Sequence, residues 1–166
     1  MAMNSLKDVY LDQLQDLWSC CDQTIPVTKD LMEAATDSDL KDALKASIEG
    51  TKQGRDKLAE ICKAHNIDPD GEFCKGTEGL VTEARAHGLE EEFGDDDARD
   101  AMIISQYQRL AHYALTGYGT LLAFAKRLEM HDDASKLEEM LDNTYGGDRR
   151  MTEIATQGGV NQAAAA

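Results

Sequence analysis

The sequence predicts an all-α chain, a bundle of four long helices with a long connection between the second and the third. Three observations carry this. Prolines occur only at positions 26 and 69. No run shows the strict alternation of apolar and polar residues that marks a half-buried strand. Four segments place apolar residues three or four apart, the spacing that lines one face of a helix. A chain of 166 residues suits one domain that buries most of its unfolded surface without staples.

The first helix is expected from about Ser5 to Ala35, with the stripe Tyr10, Leu14, Leu17/Trp18, Cys21 and Ile25. Ser5 is placed to cap it, with Asp8 three residues on. Pro26 falls inside and removes one backbone hydrogen bond, which predicts a kink. The second is expected from about Ser38, as cap, to Ala64, with Leu40, Leu44, Ile48, Thr51, Leu58 and Cys62 on one face. Turn chemistry follows at Asn66-Ile67-Asp68-Pro69-Asp70-Gly71. A short helix is expected from about Lys75 to Ala86, and then an acidic run, Glu90 to Asp97, of the kind that forms a solvated loop or helix cap. The third long helix is expected from about Asp97 to Met130, carrying Ile104, Tyr107, Ala111, Ala114/Leu115, Tyr118, Leu122 and Ala125. The fourth runs from about Asp132 to Thr156, with Leu137, Leu141, Thr144, Asp148 and Met151. Gly117-Tyr118-Gly119 sits mid-helix, where small residues allow close packing, and is not a phosphate loop.

Two short-loop helix pairs joined by one long crossover define a ferritin-like topology rather than a plain up-down-up-down bundle. Residues 1–157 form the expected single domain, and 158–166 a flexible low-complexity tail.

The formal net charge of −15 argues against nucleic acid and against anionic membranes, both of which require clustered Lys and Arg. No apolar stretch is long enough to span a bilayer. Met1 to Asp16 lacks the basic and apolar regions of a signal peptide, so a cytoplasmic location is expected. The four cysteines, Cys20, Cys21, Cys62 and Cys74, contain no CxxC spacing and read as reduced, buried small hydrophobes.

Three blocks resemble the YciE/YciF-type ferritin-like family. They are Leu6-Lys7-Asp8-Val9-Tyr10-Leu11-Asp12-Gln13-Leu14-Gln15-Asp16-Leu17-Trp18-Ser19, then Cys74-Lys75-Gly76-Thr77-Glu78-Gly79-Leu80, then His112-Tyr113 with Tyr118-Gly119-Thr120-Leu121. They occur in family order and spacing, and together cover most of residues 5–156. The resemblance implies a ferritin-like four-helix bundle, a homodimer, and a bacterial protein linked to stress responses. It also implies a dinuclear metal centre.

Such a centre needs carboxylates from all four helices to neutralise two dications. The resemblance aligns the family's ligands with Cys21, Gly50, Ala111, Ala114, Thr144 and Asp148. Of these, Asp148 alone is a carboxylate. Glu49 points outward by helical angle, whereas Ser47 and Gly54 point inward. No metal or other cofactor is therefore expected, and no catalytic residue. His112 reads as a hydrogen-bonded packing histidine. Asp148 has two readings: an inward acid partnered by Arg109, Lys52, Tyr107 or water, or a cap where the helix breaks at Gly146-Gly147. Small residues at the ligand positions leave volume. Close packing favours refilling by Trp18, Tyr107 and Tyr118; the alternative is an interior pocket at Cys21, Ser47, Ala111 and Asp148.

Two functions follow. The first is a non-enzymatic, dimeric structural or binding protein with a degenerate metal site. The second is an iron or manganese carboxylate protein acting as oxidase, peroxide scavenger or iron-handling protein. Thiol chemistry at Cys20 and Cys21 is a third, disfavoured by burial away from positive charge. The acids are expected on outer faces and loops. The exposed side of Trp18 and Leu11 is the expected dimer face.

Overall fold

The computed structural model describes residues 3–166; Met1 and Ala2 of the expected domain lie outside them. Helix α1 spans Leu6–Ala34. Its start is set reciprocally: the Asp8 amide donates to Ser5 Oγ at 3.2 Å, and the Ser5 hydroxyl donates to the Asp8 carboxylate at 2.8 Å. Helix α1 runs through Pro26, which is exposed. Helix α2 spans Ser38–Ala64, and its cap is Asp37, one residue before the expected Ser38. The Leu40 amide donates to Asp37 Oδ1 at 2.8 Å, where a carboxylate also meets the positive end of the helix dipole.

The crossover holds a 3₁₀ turn at Pro69–Gly71, helix α3 over Lys75–Arg85 and a π turn over Ala86–Glu90. Helix α4 spans Asp96–Arg127 and is capped by Asp95, whose Oδ1 accepts from the Ala98 amide at 2.9 Å. Part of the acidic run therefore serves as the cap and first turn of α4. Helix α5 spans His131–Thr156 without a break at Gly146-Gly147. The capping reading of Asp148 is overturned by that continuity. Beyond Gly158, where a loose tail is expected, a short helix α6 forms over Val160–Ala164 and buries Val160.

Helix α1 packs on α2, α3 and α4; α5 packs on α4 and α2. Two hairpins joined by a crossover that carries a short helix give the ferritin-like arrangement. Among the described residues no helix is long and apolar enough to cross a membrane.

The three blocks of the family resemblance meet at one junction. The Cys74 amide donates to Ser19 Oγ at 3.1 Å, which ties the crossover to α1. The Cys74 thiol caps α3, accepting from the Thr77 amide at 3.5 Å, and lies 3.2 Å from the Tyr113 hydroxyl of α4. A Cβ on Gly76 would sit 2.6 Å from that hydroxyl, so only glycine lets α3 approach. A Cβ on Gly117 would lie 2.7 Å from Leu17 Cδ1, so the Leu17 side chain packs into the space that this glycine leaves. Gly119 meets nothing within 4 Å, so close packing belongs to one of the two α4 glycines flanking Tyr118. The motif residues thus build the frame.

Two acids depart from the expectation that acids crowd the surface. Asp100 is 0% exposed and closes the α1–α2 turn from α4. It accepts from the Thr36 amide at 2.9 Å, the Thr36 hydroxyl at 2.7 Å and the Asp37 amide at 2.7 Å. Asp133 accepts from the Tyr10 hydroxyl at 2.9 Å and pairs with His65 Nε2 at 2.7 Å, joining α1, α2 and α5.

The apolar core is divided. One cluster holds Tyr10, Leu14, Leu17, Leu58, Ile61, Leu121 and Leu137. The other holds Val27, Leu31, Leu40, Leu44, Ile103, Leu110 and Ile154. Between them every long helix contributes small or hydroxylated residues: Thr24 on α1, Ser47, Gly50 and Thr51 on α2, Ala111 and Ala114 on α4, Thr144 and Gly147 on α5.

Candidate functional site: a cavity at mid-bundle

The layer between the two clusters encloses a cavity of about 540 Å³. The expectation that Trp18, Tyr107 and Tyr118 refill this space is overturned. Trp18 stands against the outer side of the first cluster and does not line the cavity. Tyr107 and Tyr118 lie on the cavity wall without filling it. They are eleven residues apart on α4, about 16 Å along one face at 1.5 Å per residue. Ala111 and Ala114 form the floor between them.

At one end, the Tyr118 hydroxyl meets Cys21 Sγ at 3.5 Å. It also occupies the place a Gly54 side chain would take, so Gly54 is buried and cannot carry a Cβ without displacing it. At the other end, the Tyr107 hydroxyl and Ser47 Oγ both border Gly147, 3.8 and 3.9 Å from where its Cβ would sit. Along the walls each hydroxyl donates to a carbonyl of its own helix: Thr24 to Cys20 at 2.8 Å, Ser47 to Ala43 at 2.9 Å, Thr51 to Ser47 at 2.8 Å, and Thr144 to Met140 at 2.8 Å.

The cavity opens between α2 and α5, past exposed Ala46, Glu49, Gly50, Gln53 and Asn143. Ion pairs join these two helices on either side of the mouth. Lys57–Glu139 at 2.5 Å and Lys136–Glu60 at 3.0 Å stand at one end, and Arg150–Asp39 at 3.8 Å at the other.

The structure brings together Cys21, Ser47, Gly50, Ala111, Ala114 and Thr144 on this cavity, and leaves Asp148 off it. The Asp148 side chain is 16% exposed and turns toward α4. There Oδ1 accepts from Gln108 Nε2 at 3.0 Å and lies 3.1 Å from His112 Nε2. These partners replace the Arg109, Lys52 and Tyr107 expected from the sequence. His112 is 64% exposed, so it is hydrogen-bonded as expected but not packed between helices.

A dinuclear centre does not fit these donors. The wall holds one carboxylate, Glu49, whose side chain is largely exposed and paired with Lys52 at 2.8 Å. Two dications would retain most of their charge against one surface carboxylate and a protonated thiol. Among the described residues no group of three or more His, Cys, Asp or Glu is placed to hold a metal ion.

All four cysteines are free and buried. Burial pushes the Cys21 thiol up to about 11, and Cys62 likewise to about 11; Cys20 rises further. The nucleophile is the thiolate, so these groups are held in their inert form. Native protein treated with iodoacetamide near neutral pH is expected to stay unlabelled at Cys20, Cys21 and Cys62, and to label at all three in urea. Peptide mass mapping reads this out, and rapid native labelling of Cys21 is the contrary result.

Residues 5–165 match the model of a family described as a domain of unknown function, DUF892. The chain belongs to this family. Protein YciF of Escherichia coli strain K12 is 28% identical over 156 residues, covering 93% of each chain. Among solved structures, the crystal structure of the E. coli stress protein YciF superposes with a TM-score of 0.85 at 27% identity, covering 92% of this chain and 96% of that one. YcfI, described as a putative structural protein from Rhodopseudomonas palustris, superposes with a TM-score of 0.84 at 27% identity, covering 90% and 94%. The family and its bundle fold are thereby shown. The relatives' descriptions name a stress protein and a structural protein, and no reaction.

Proposed function

We propose that this DUF892 member is a metal-independent bundle protein, a non-enzymatic structural or binding component of a bacterial stress response. The observation that carries this is the donor set at mid-bundle. Where the family resemblance implies metal ligands, the wall offers a thiol, hydroxyls, glycines and alanines around a cavity. Carboxylates clustered in a bundle core are costly unless a metal neutralises them. A bundle that no longer holds metal is stabilised by replacing them, and Asp148 persists because it has partners outside the cavity. The protein works in the cytoplasm as a homodimer, in line with the family resemblance. Half-buried Leu11 and Trp18 on α1 offer apolar area for the contact. The acid excess keeps it soluble and away from other polyanions.

The test is elemental analysis of protein purified from cells grown with added iron and manganese. The expected result is no stoichiometric metal. Two iron or manganese ions per chain would overturn this reading in favour of an oxidase, peroxide scavenger or iron-handling protein.

A further inference from the structure

We propose that the mid-bundle cavity is a binding site for a neutral, mainly apolar small molecule that carries a hydroxyl or amino hydrogen-bond donor. The inference rests on the metal-independent reading above and adds the chemistry of the guest. Four features of the cavity define that chemistry.

The first is size. A volume of about 540 Å³ lies within the range of roughly 300–1,000 Å³ typical of ligand sites. The second is the absence of fixed charge inside. Cys21 and Tyr118 are held protonated by burial. The charges at the mouth are spent on neighbours: Glu49 on Lys52, and Arg150 on Asp39 and Glu153. A charged guest would lose its hydration with nothing inside to replace it, and an anion would also meet the net charge of −15.

The third is the polarity of the hydrogen bonding. Thr24, Ser47, Thr51 and Thr144 all commit their protons to backbone carbonyls of their own helices. What a hydroxyl retains after donating is its lone pairs. These interior hydroxyls therefore accept hydrogen bonds from a guest more readily than they donate, while the donors Gln53, Asn143 and Arg150 stand exposed at the mouth. The fourth is access. The mouth between α2 and α5 is lined by exposed small and polar residues, and Gly50 at its edge has no atom within 4 Å of where a Cβ would sit. A guest can enter without opening either apolar cluster.

N-phenyl-1-naphthylamine is a suitable probe: neutral, aromatic, with one N–H donor, and brighter in apolar surroundings. Its sulfonated analogue, 8-anilino-1-naphthalenesulfonate, keeps the skeleton and adds an anion. The full chain is expected to bind the neutral probe saturably at one site per chain. The sulfonate is expected to bind about tenfold or more weakly, since its charge finds no partner inside.

Ala111→Phe should abolish binding by filling the floor. Gly50→Leu should weaken it from the mouth, where the new side chain has open space and the fold is undisturbed. Circular dichroism and melting temperature verify folding of both. Thr144→Val, which removes one acceptor at constant shape, should weaken the amine probe several-fold and leave binding of naphthalene, which has no donor, unchanged. No saturable binding of the neutral probe overturns the proposal. So does equal binding by folded Gly50→Leu, or sulfonate binding as tight as the neutral probe. None of these results depends on metal content, so failure here is distinguishable from failure of the metal-independent reading.

Discussion

Asp100→Ala is expected to lower stability by about 3–5 kcal/mol, since it leaves three neutral donors without their acceptor at about 1–3 kcal/mol each, offset in part by water. The Asp100 carboxylate is wholly buried and is the acceptor for the Thr36 amide, the Thr36 hydroxyl and the Asp37 amide. Each donor loses its partner at once, and although Thr36 is exposed, the space left by the Asp100 side chain beneath the turn is buried. The same turn positions Asp37, the cap of α2, so the loss reaches a second helix end. Asp100→Asn keeps one acceptor oxygen but turns an NH₂ toward donors, and should cost less, about 1–3 kcal/mol. For a domain of this size a loss of 3–5 kcal/mol lowers the melting temperature by roughly 10 °C. Urea denaturation with an unchanged slope but a lower midpoint reads it directly. A shift under about 1 kcal/mol for the alanine variant would mean that solvent reaches the turn amides.

Asp100 also shows where sequence reasoning stops. Helical periodicity placed α1 to α5 within a few residues, because a stripe such as Leu40, Leu44, Ile48 repeats over many turns and averages out local errors. The family resemblance pointed to the mid-bundle layer, and Cys21, Ser47, Ala111, Ala114 and Thr144 do share one cavity. Three outcomes were not legible. Asp100 follows three other aspartates across a short gap, and nothing local distinguishes a buried acid from a solvated one. Its role depends on a turn 63 residues earlier in the chain. The sequence offers Asp148 as inward or capping, yet its partners Gln108 and His112 lie on a neighbouring helix and take it off the cavity. The persistence of the cavity itself was masked by a sound rule about close packing. The rule fails here because the aromatic side chains expected to fill the space are held elsewhere. Tyr118 is held between Cys21 and Gly54, Tyr107 is buried against Gly147, and Trp18 lies outside.

A bundle with two apolar clusters and a cavity between them can change the side chains at its centre without repacking either cluster. Each cluster is anchored by its own devices: the Tyr10–His65–Asp133 network and the Cys74–Tyr113 junction at one end, Asp100 and Thr36 at the other. The frame is therefore set by contacts outside the middle layer. That separation is what makes the layer free to change its chemistry while the frame persists.

Restoring carboxylates to that layer gives the second large effect. The quadruple variant Cys21→Glu, Gly50→Glu, Ala111→Glu, Ala114→Glu places four acids around the cavity. Without metal they repel one another, and those at positions 21, 111 and 114 also lose hydration, so their pKa values in the folded state are raised above the unfolded ones. A raised carboxylate pKa means that the folded state binds more protons than the unfolded state. Stability then falls as pH rises through the unfolded values and reaches its lowest level above the folded ones. The metal-free variant is expected to lose several kcal/mol at pH 7 relative to the parent, and to recover much of it near pH 5. Addition of manganese(II) at pH 7 should restore stability through preferential binding to the folded state, by about 2.7 kcal/mol at a hundredfold excess over its dissociation constant. The parent chain, lacking the donors, should show no such rise. Paired urea titrations with and without metal, at the two pH values, test both halves. A parent stabilised by manganese as strongly as the variant would show that its own residues suffice to hold the ion. A variant that unfolds and gains nothing from metal would show that these four positions do not converge closely enough to share one.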